Sequence, residues 1–117
     1  MPWLIKLKVQ LKNHVMNPEL ESHIIDTLKN VYDPEIPVNI YDLGLIYKVE
    51  ADEDGKINIT MTLTAPNCPM VDELLQEIHD KIKAIDKVSD LNINVVFDPP
   101  WDRSMMSEEA MLTLGLI

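Results

Sequence analysis

Cysteine is almost absent from this chain, because Cys68 is the only one among 117 residues. A single cysteine excludes a disulfide within the chain and a zinc site built from several cysteines. It is typical of proteins in a reducing compartment, so we expect a cytoplasmic protein. Glycine is also scarce, with 3 residues, and each one marks a predicted turn, helix end or close backbone approach.

Long apolar runs and positive charge are lacking as well. No run approaches the ~20 residues that a membrane span needs, and Lys6 and Lys8 interrupt the apolar start of the chain, so we expect neither a membrane anchor nor a signal peptide. The 10 basic residues face 20 acidic ones, a net charge of −10 that argues against nucleic acid as a partner. This acidic surface suits transient docking to basic proteins, and a simple role in solubility explains it equally well.

The hydrophobic pattern predicts one domain at residues 19–117, preceded by an N-terminal extension at residues 1–18 whose pattern fits either a strand or a helix. Asn17 and Pro18 are typical of a helix start, and Ser107 is typical of another. A strand–helix–strand unit in the second half predicts a parallel pair of strands, with the place of the last strand in the sheet left open. The predicted elements are a helix ending near residue 32, a strand ending near residue 51, a strand at 57–64, a helix ending near residue 85, a strand at 88–98 and a short helix after residue 107.

One strand alternates strictly between apolar and polar residues. Its polar side carries Asn58, Thr60, Thr62 and Thr64, so we expect that face of the sheet to be wet. Thr64 stands next to a loop, where its hydroxyl can bond a thiolate or a ligand.

Cys68 follows this strand and precedes the longest amphipathic helix pattern. Free N–H groups at a helix start and the helix dipole favour a thiolate, whereas the charges of Asp72 and Glu73 oppose it. We therefore assign no lowered pKa to Cys68. The alternative for a lone cysteine is a buried structural residue.

An acidic loop stiffened by two prolines holds Asp33 and Glu35, and Asp42 follows it. Carboxylates in a rigid loop suit metal ligation or proton transfer from a thiol. In the alternative interpretation, Asp33 turns the chain, Glu35 points to water and Asp42 caps the loop. Further along the chain, Trp101 is expected to pack over the end of the sheet.

Three motifs together resemble the metal–sulfur cluster assembly family, which includes SufT-like factors, PaaD-like proteins and the N-terminal domain of Mrp-type ATPases. They are residues 31–47 (VYDPEIPVNIYDLGLIY), residues 62–69 (TLTAPNCP) and Trp101 with residues 106–110 (MSEEA). The resemblance covers residues 19–117. It implies an α+β fold, a two-layer α-β-β-α-β-α domain with a three-stranded mixed sheet and helices mainly on one face.

The resemblance also implies that the acidic loop and the cysteine loop converge on one site. By position, the family's site corresponds to Asp33, Glu35, Asp42, Thr64 and Cys68. The chain departs from the family pattern in having Asn67 where glycine is common and Ala65 where some members have a second threonine.

The leading hypothesis is a non-enzymatic accessory factor in iron–sulfur cluster assembly or transfer, with Cys68 as a cluster or iron ligand. A cluster usually needs four thiolates or substitutes, so the other ligands must come from a second chain, a partner or a small thiol. This predicts a homodimer bridged by a transiently bound cluster or iron, none of it surviving aerobic purification, with assembly proteins and recipient apoproteins as partners. The alternatives are a metal-free adaptor for target apoproteins and, least favoured, a thiol enzyme with Asp33 or Glu35 as base.

Overall fold

The structure is a computed structural model, and it describes residues 16–34, 36–64 and 71–117. These residues form an α+β unit with a three-stranded mixed sheet, which confirms the predicted fold class. The elements in chain order are helix α1 (Pro18–Leu28), strand β1 (Ile46–Ala51), strand β2 (Lys56–Met61), helix α2 (Val71–Lys83), strand β3 (Asp90–Val95), a 3-10 turn (Arg103–Met105) and helix α3 (Glu108–Thr113).

Helix α1 begins where the sequence predicts and ends earlier. The Asn17 Oδ1 atom accepts a hydrogen bond from the Leu20 amide at 3.2 Å, which satisfies one of the free N–H groups of the first turn. The helix stops at Leu28, four residues before the expected Tyr32, because the following backbone pairs elsewhere. The Val31 carbonyl accepts from the Ile40 amide at 2.8 Å, and Tyr32 forms a β-bridge with Asn39.

The sheet has the order β1-β2-β3, which answers the question that the sequence left open. β1 and β2 pair antiparallel, whereas β2 and β3 pair parallel as the strand–helix–strand unit predicted. The register of β1 and β2 shifts between Ile46 and Lys48, so Tyr47 is an extra residue in β1.

Both long helices pack on one face of the sheet. α1 and α2 contribute three fully or almost fully buried residues each, and the apolar side of β2 meets them. The buried residues of these three elements are Leu20, Ile24, Leu28, Leu74, Ile78, Ile82, Ile57, Ile59 and Met61. This shared burial makes one hydrophobic core, since the contacts form a single cluster.

The opposite face of the sheet is wet over most of its length. Asn58 and Asn92 are exposed, and their side chains hydrogen-bond each other across β2 and β3 at 3.2 Å. Thr60 is half-buried, but Thr62 is 0% exposed, so the expectation of a fully wet threonine row is wrong at that position.

The C-terminal tail, residues 99–117, ends in helix α3 with both predicted caps. The Ser107 hydroxyl accepts from the Ala110 amide at 3.1 Å. At the other end Gly115 has φ +74°, and the Leu116 amide donates to the Met111 carbonyl at 2.8 Å, the pattern of a Schellman motif. Among the described residues, no helix has the length and apolar character that a bilayer crossing requires.

Candidate functional site

Three of the five predicted site residues fall within the described structure. Asp33, Asp42 and Thr64 are half-buried. Cys68 and Glu35 lie outside the described residues, as do Ala65 and Asn67 at the two departures from the family pattern.

Asp33 shapes the acidic loop. Its Oδ1 atom accepts a hydrogen bond from the Ile36 amide at 3.1 Å, and its own amide donates to the Val38 carbonyl at 3.2 Å. The β-bridge between Tyr32 and Asn39 closes the loop at its base. The carboxylate thus turns the chain, as one of the two interpretations predicted.

Asp42 is held by Asn39. The Asn39 Nδ2 atom donates to Asp42 Oδ2 at 2.7 Å, and the Asp42 amide donates back to Asn39 Oδ1 at 2.8 Å. Asn39 also belongs to the bridge that closes the acidic loop, so Asp42 is tied to the base of that loop. Sequence reasoning missed Asn39; its spacing of three residues before Asp42, typical of an N-cap side chain and the amide that it binds, was the available signal.

A series of main-chain hydrogen bonds links the acidic loop to the end of β2. The Ile40 amide donates to the Val31 carbonyl at 2.8 Å, and the Leu45 amide donates to the Ile40 carbonyl at 3.1 Å. The Thr62 amide then donates to the Leu45 carbonyl at 2.8 Å. The base of the acidic loop and the strand that leads into the cysteine segment therefore share one scaffold.

The C-terminal tail is fastened to the loop that contains Asp42. The Ser107 amide donates to the Asp42 carbonyl at 2.8 Å, and the Trp101 Nε1 atom donates to the Leu43 carbonyl at 2.8 Å. Gly44, at φ +87°, lies so close to Met105 that a Cβ atom would collide with the Met105 backbone. The predicted close approach at Gly44 is confirmed, and Trp101 does pack at this end of the core.

Two open hollows flank Asp42. One, of about 170 Å³, is lined by Asp42, Tyr32, Pro37 and Glu109 among others. The second, of about 550 Å³, is lined on its other sides by Tyr47, Met105 and Ser107. The Asp42 carboxylate therefore faces two hollows. The larger one is lined by an aromatic and a thioether side chain, and the smaller one by a second carboxylate, from Glu109. This setting suits the binding of a polar or cationic group.

The described residues do not complete a metal centre by themselves. Within residues 16–34, 36–64 and 71–117, no three histidine, aspartate, glutamate or cysteine side chains are grouped to hold a metal ion. His23 and His79 are exposed. The one thiol of the chain, Cys68, lies outside the described residues.

Thr62 is the second residue that sequence reasoning missed. It lies two residues before Thr64, and its hydroxyl is fully buried with no hydrogen-bond partner in the described part of the chain. The alternating pattern gave no signal of this, because a polar residue at such a position is expected on the wet face of the sheet.

Comparison with known proteins gives a consistent result. The chain is 50% identical over 99 residues to an Fe-S protein maturation auxiliary factor of Porphyromonas gingivalis, covering 85% of this chain and 94% of that protein. It is 40% identical over 101 residues to the Fe-S protein maturation auxiliary factor YitW of Bacillus subtilis, covering 86% and 99% of the two chains. The crystal structure of a domain of unknown function from Bacillus anthracis superposes with a TM-score of 0.79 at 36% identity, covering 86% of this chain and 95% of that one.

A family match agrees with these relatives. Residues 21–95 match the family described as iron-sulfur cluster assembly protein, and they include most of α1, the acidic loop, Cys68 and all three strands. The chain therefore belongs to the iron-sulfur cluster assembly protein family.

Proposed function

We propose that this protein is a non-enzymatic accessory factor in iron–sulfur cluster assembly or transfer, and that the Cys68 thiolate ligates the cluster or its iron. The observation that carries the proposal is the series of main-chain hydrogen bonds from Val31 to Thr62, which ties the acidic loop to the strand before Cys68. Family membership and the names of the relatives support the same role. In this proposal residues 19–117 are the assembly domain and residues 1–18 an extension.

The cluster is the cargo of this protein, and its remaining ligands come from outside the chain. A cluster usually takes four thiolates or close substitutes, and this chain has one cysteine. A second copy of the chain supplies a second Cys68, and a partner protein or a small thiol supplies the rest. This arrangement makes release easy, since a transfer factor has to give its cargo to a recipient apoprotein.

The carboxylates assist the thiolate. Asp42 is oriented by Asn39, and a carboxylate has about four lone-pair sites, so one hydrogen bond leaves it able to bind iron. Asp33 and Glu35 stand on the loop that shares the scaffold of Asp42, and Thr64 offers a hydroxyl at the end of β2. Together they form an acidic, oxygen-rich surrounding that suits iron before its sulfur ligands are complete.

Anaerobic reconstitution with iron and sulfide tests this proposal. Visible absorbance, iron content and oligomeric state are measured on the wild type and on Cys68→Ser, which changes one atom of the ligand. We expect the wild type to retain a cluster as a dimer and Cys68→Ser to fall to background. Equal cluster content in both would overturn the role of Cys68.

A matched pair of carboxylate variants examines the loop. Asp42→Asn removes a charge at the proposed site, whereas Asp90→Asn removes one at the far end of the sheet, where β3 begins. We expect several-fold lower iron retention for Asp42→Asn and no change for Asp90→Asn. An equal effect of both changes would mean that only the net charge of the protein matters.

The adaptor alternative has one observation in its favour. Leu112, Leu116 and Ile117 leave an exposed apolar surface at the C-terminal end, with exposed fractions of 62%, 43% and 66%. If Cys68→Ser supports maturation of an iron–sulfur enzyme in cells as well as the wild type does, while Leu112→Glu does not, the protein is a metal-free adaptor.

A further inference from the structure

Strand β3 forms one outer edge of the sheet. On its inner side the Val96 amide donates to a carbonyl at the end of β2 at 2.8 Å, so the even-numbered residues of this stretch face β2. The N–H and C=O groups of Leu91, Ile93 and Val95 therefore point away from the sheet. The Leu91 amide donates to Asp90 Oδ1 at 3.0 Å, whereas within the described residues no strand pairs with Ile93 or Val95 on this side.

The opposite edge of the sheet, at β1, carries features that block pairing with another chain. The Asn17 amide donates to the Ala51 carbonyl at 2.7 Å, and Met16 forms a β-bridge with Asp52, so one end of this edge is already occupied. The bulge at Tyr47 and the charged side chains within the strand protect the rest of it.

The outer edge of β3, which lies wholly within the described residues, has none of these features. Its register with β2 is regular, and residues 91–97 (LNINVVF) contain no charge and no proline. Leu91, Ile93 and Val95 pack against the core and are still partly exposed, whereas their partners on β2 are at most 1% exposed. Phe97, just beyond the strand, is 48% exposed. A regular, uncharged edge with half-covered apolar side chains is the kind of edge that an additional strand extends.

We propose that the outer edge of β3 is a docking site for an extended segment of another protein, which adds a fourth strand to the sheet. The segment carries apolar residues at alternate positions, which complete the cover of the core, and a basic residue at each end, which faces Asp90 or Asp98. These two carboxylates bracket the uncharged run in a chain of net charge −10, so a basic partner is favoured over a second copy that brings the same negative charge. This inference goes beyond the proposed function and does not depend on Cys68.

Nuclear magnetic resonance of the isotope-labelled, full-length protein tests this edge directly. The probe is a synthetic peptide with lysine at both ends and valine alternating with threonine between them, used at concentrations at which it is monomeric. We expect the amide protons of Ile93 and Val95 to exchange rapidly with water in the protein alone, and about tenfold more slowly or less when the peptide is saturating, because each amide then has a main-chain acceptor. The amides of Asn92 and Asn94, which face β2, are the internal control and should be protected in both conditions.

Variants separate main-chain pairing from charge. Ile93→Pro removes an outward N–H group and leaves the pairing with β2 in place, whereas Ile93→Ala also loses the apolar side chain but keeps the N–H group. We expect Ile93→Pro to bind the peptide about tenfold more weakly than Ile93→Ala does. Asp98→Asn, which keeps the test valid if Ile93→Pro does not fold, should weaken binding about two- to fivefold. Glu50→Gln, a loss of the same charge on the opposite edge of the sheet, and Cys68→Ser should both bind the peptide like the wild type.

Each other result overturns the inference. Slow exchange of Ile93 and Val95 in the protein alone means that another part of the chain covers the edge, or, where the protection rises with protein concentration, that a second copy does. Absence of protection by the peptide, or equal binding of a peptide with glutamate at both ends, excludes a basic extended partner. Equal binding by Ile93→Pro and Ile93→Ala excludes main-chain pairing. The two proposals fail separately: a cluster retained by Cys68→Ser removes only the proposed function, and a peptide that does not bind removes only this docking site.

Discussion

Asn39 and Asp42 are joined by two hydrogen bonds in opposite directions, side-chain amide to carboxylate at 2.7 Å and main-chain amide to side-chain oxygen at 2.8 Å. The pair closes a short ring, so the carboxylate of Asp42 has a defined direction although it is only half-buried. The main chain of Asn39 also bridges to Tyr32, so this one residue joins the base of the acidic loop to Asp42.

Replacing Asn39 by alanine is expected to loosen this relation. Two hydrogen bonds of about 0.5–1.5 kcal/mol each are lost, so urea unfolding should show that the free energy of unfolding falls by about 1–3 kcal/mol. Asn30→Ala is the control, because Asn30 is exposed and donates one side-chain bond, to the Asp26 carbonyl at 3.2 Å. Equal loss of stability in the two variants would show that the ring around Asp42 adds nothing beyond an exposed hydrogen bond.

Gly44 and Gly115 offer a second matched comparison. Both have positive φ, at +87° and +74°, but a Cβ atom at Gly44 would meet Met105 whereas nothing lies within 4 Å of one at Gly115. Gly115→Ala should destabilise by about 1 kcal/mol through backbone strain alone. Gly44→Ala should destabilise the fold by at least about 2 kcal/mol more than Gly115→Ala does, because the tail must also move away from the new methyl group. Thermal unfolding of the two variants measures the difference. Similar values for both would contradict the close packing of the tail on Gly44.

The attachment of the tail is tested by Trp101→Phe. The indole Nε1 donates to the Leu43 carbonyl at 2.8 Å, and phenylalanine keeps an aromatic ring but leaves that carbonyl without its donor. We expect a loss of about 1–3 kcal/mol in chemical denaturation. Tyr47→Phe is the comparison: its hydroxyl bond to the Pro99 carbonyl at 2.8 Å is exposed, so its removal should have less effect. A larger loss of stability in Tyr47→Phe than in Trp101→Phe would contradict this prediction.

We expect Asp102 to stabilise the tail at neutral pH and to lose this effect in acid. Hydrogen bonds from the Ser104 side chain and then from its amide lower the pKa of this exposed carboxyl below its ordinary value. A carboxyl with a lowered folded-state pKa stabilises the fold above its ordinary pKa, and this contribution disappears as the pH falls through the lowered value. Asp102→Ala should therefore unfold more easily than the wild type at neutral pH and equally easily in strong acid. A difference that is constant with pH would exclude this cause.

Local chemistry made the helix starts predictable, whereas the fold class was implied by the family resemblance. Asn17 and Ser107 cap helices because their side-chain oxygens reach amides three residues away, an interaction encoded within four residues. The parallel pairing of β2 and β3 followed from the handedness of strand–helix–strand connections. The turning role of Asp33 could also be foreseen as one of two interpretations, because its hydrogen-bond partner, the Ile36 amide, is only three residues away.

Features that depend on distant parts of the chain were not predictable. The early end of α1 results from main-chain pairing between Val31 and Ile40. Thr62 is fully buried, although it stands at a polar position of the alternating pattern. A polar residue at an alternating strand position gives the same pattern whether water or another segment covers it. The convergence of the acidic loop and the cysteine segment stays a prediction for Cys68 and Glu35, while Asp33 and Asp42 do share one closed loop base.

The bonds that run from Val31 through Ile40 and Leu45 to Thr62 use only main-chain atoms. Exchange of any side chain along this path leaves the donors and acceptors in place, with one exception. Proline lacks the N–H group, so Ile40, Leu45 and Thr62 are the positions where a single substitution cuts the path outright. This series of hydrogen bonds therefore tolerates wide variation in residue type. Proline at any of the three donor positions is the substitution that breaks it.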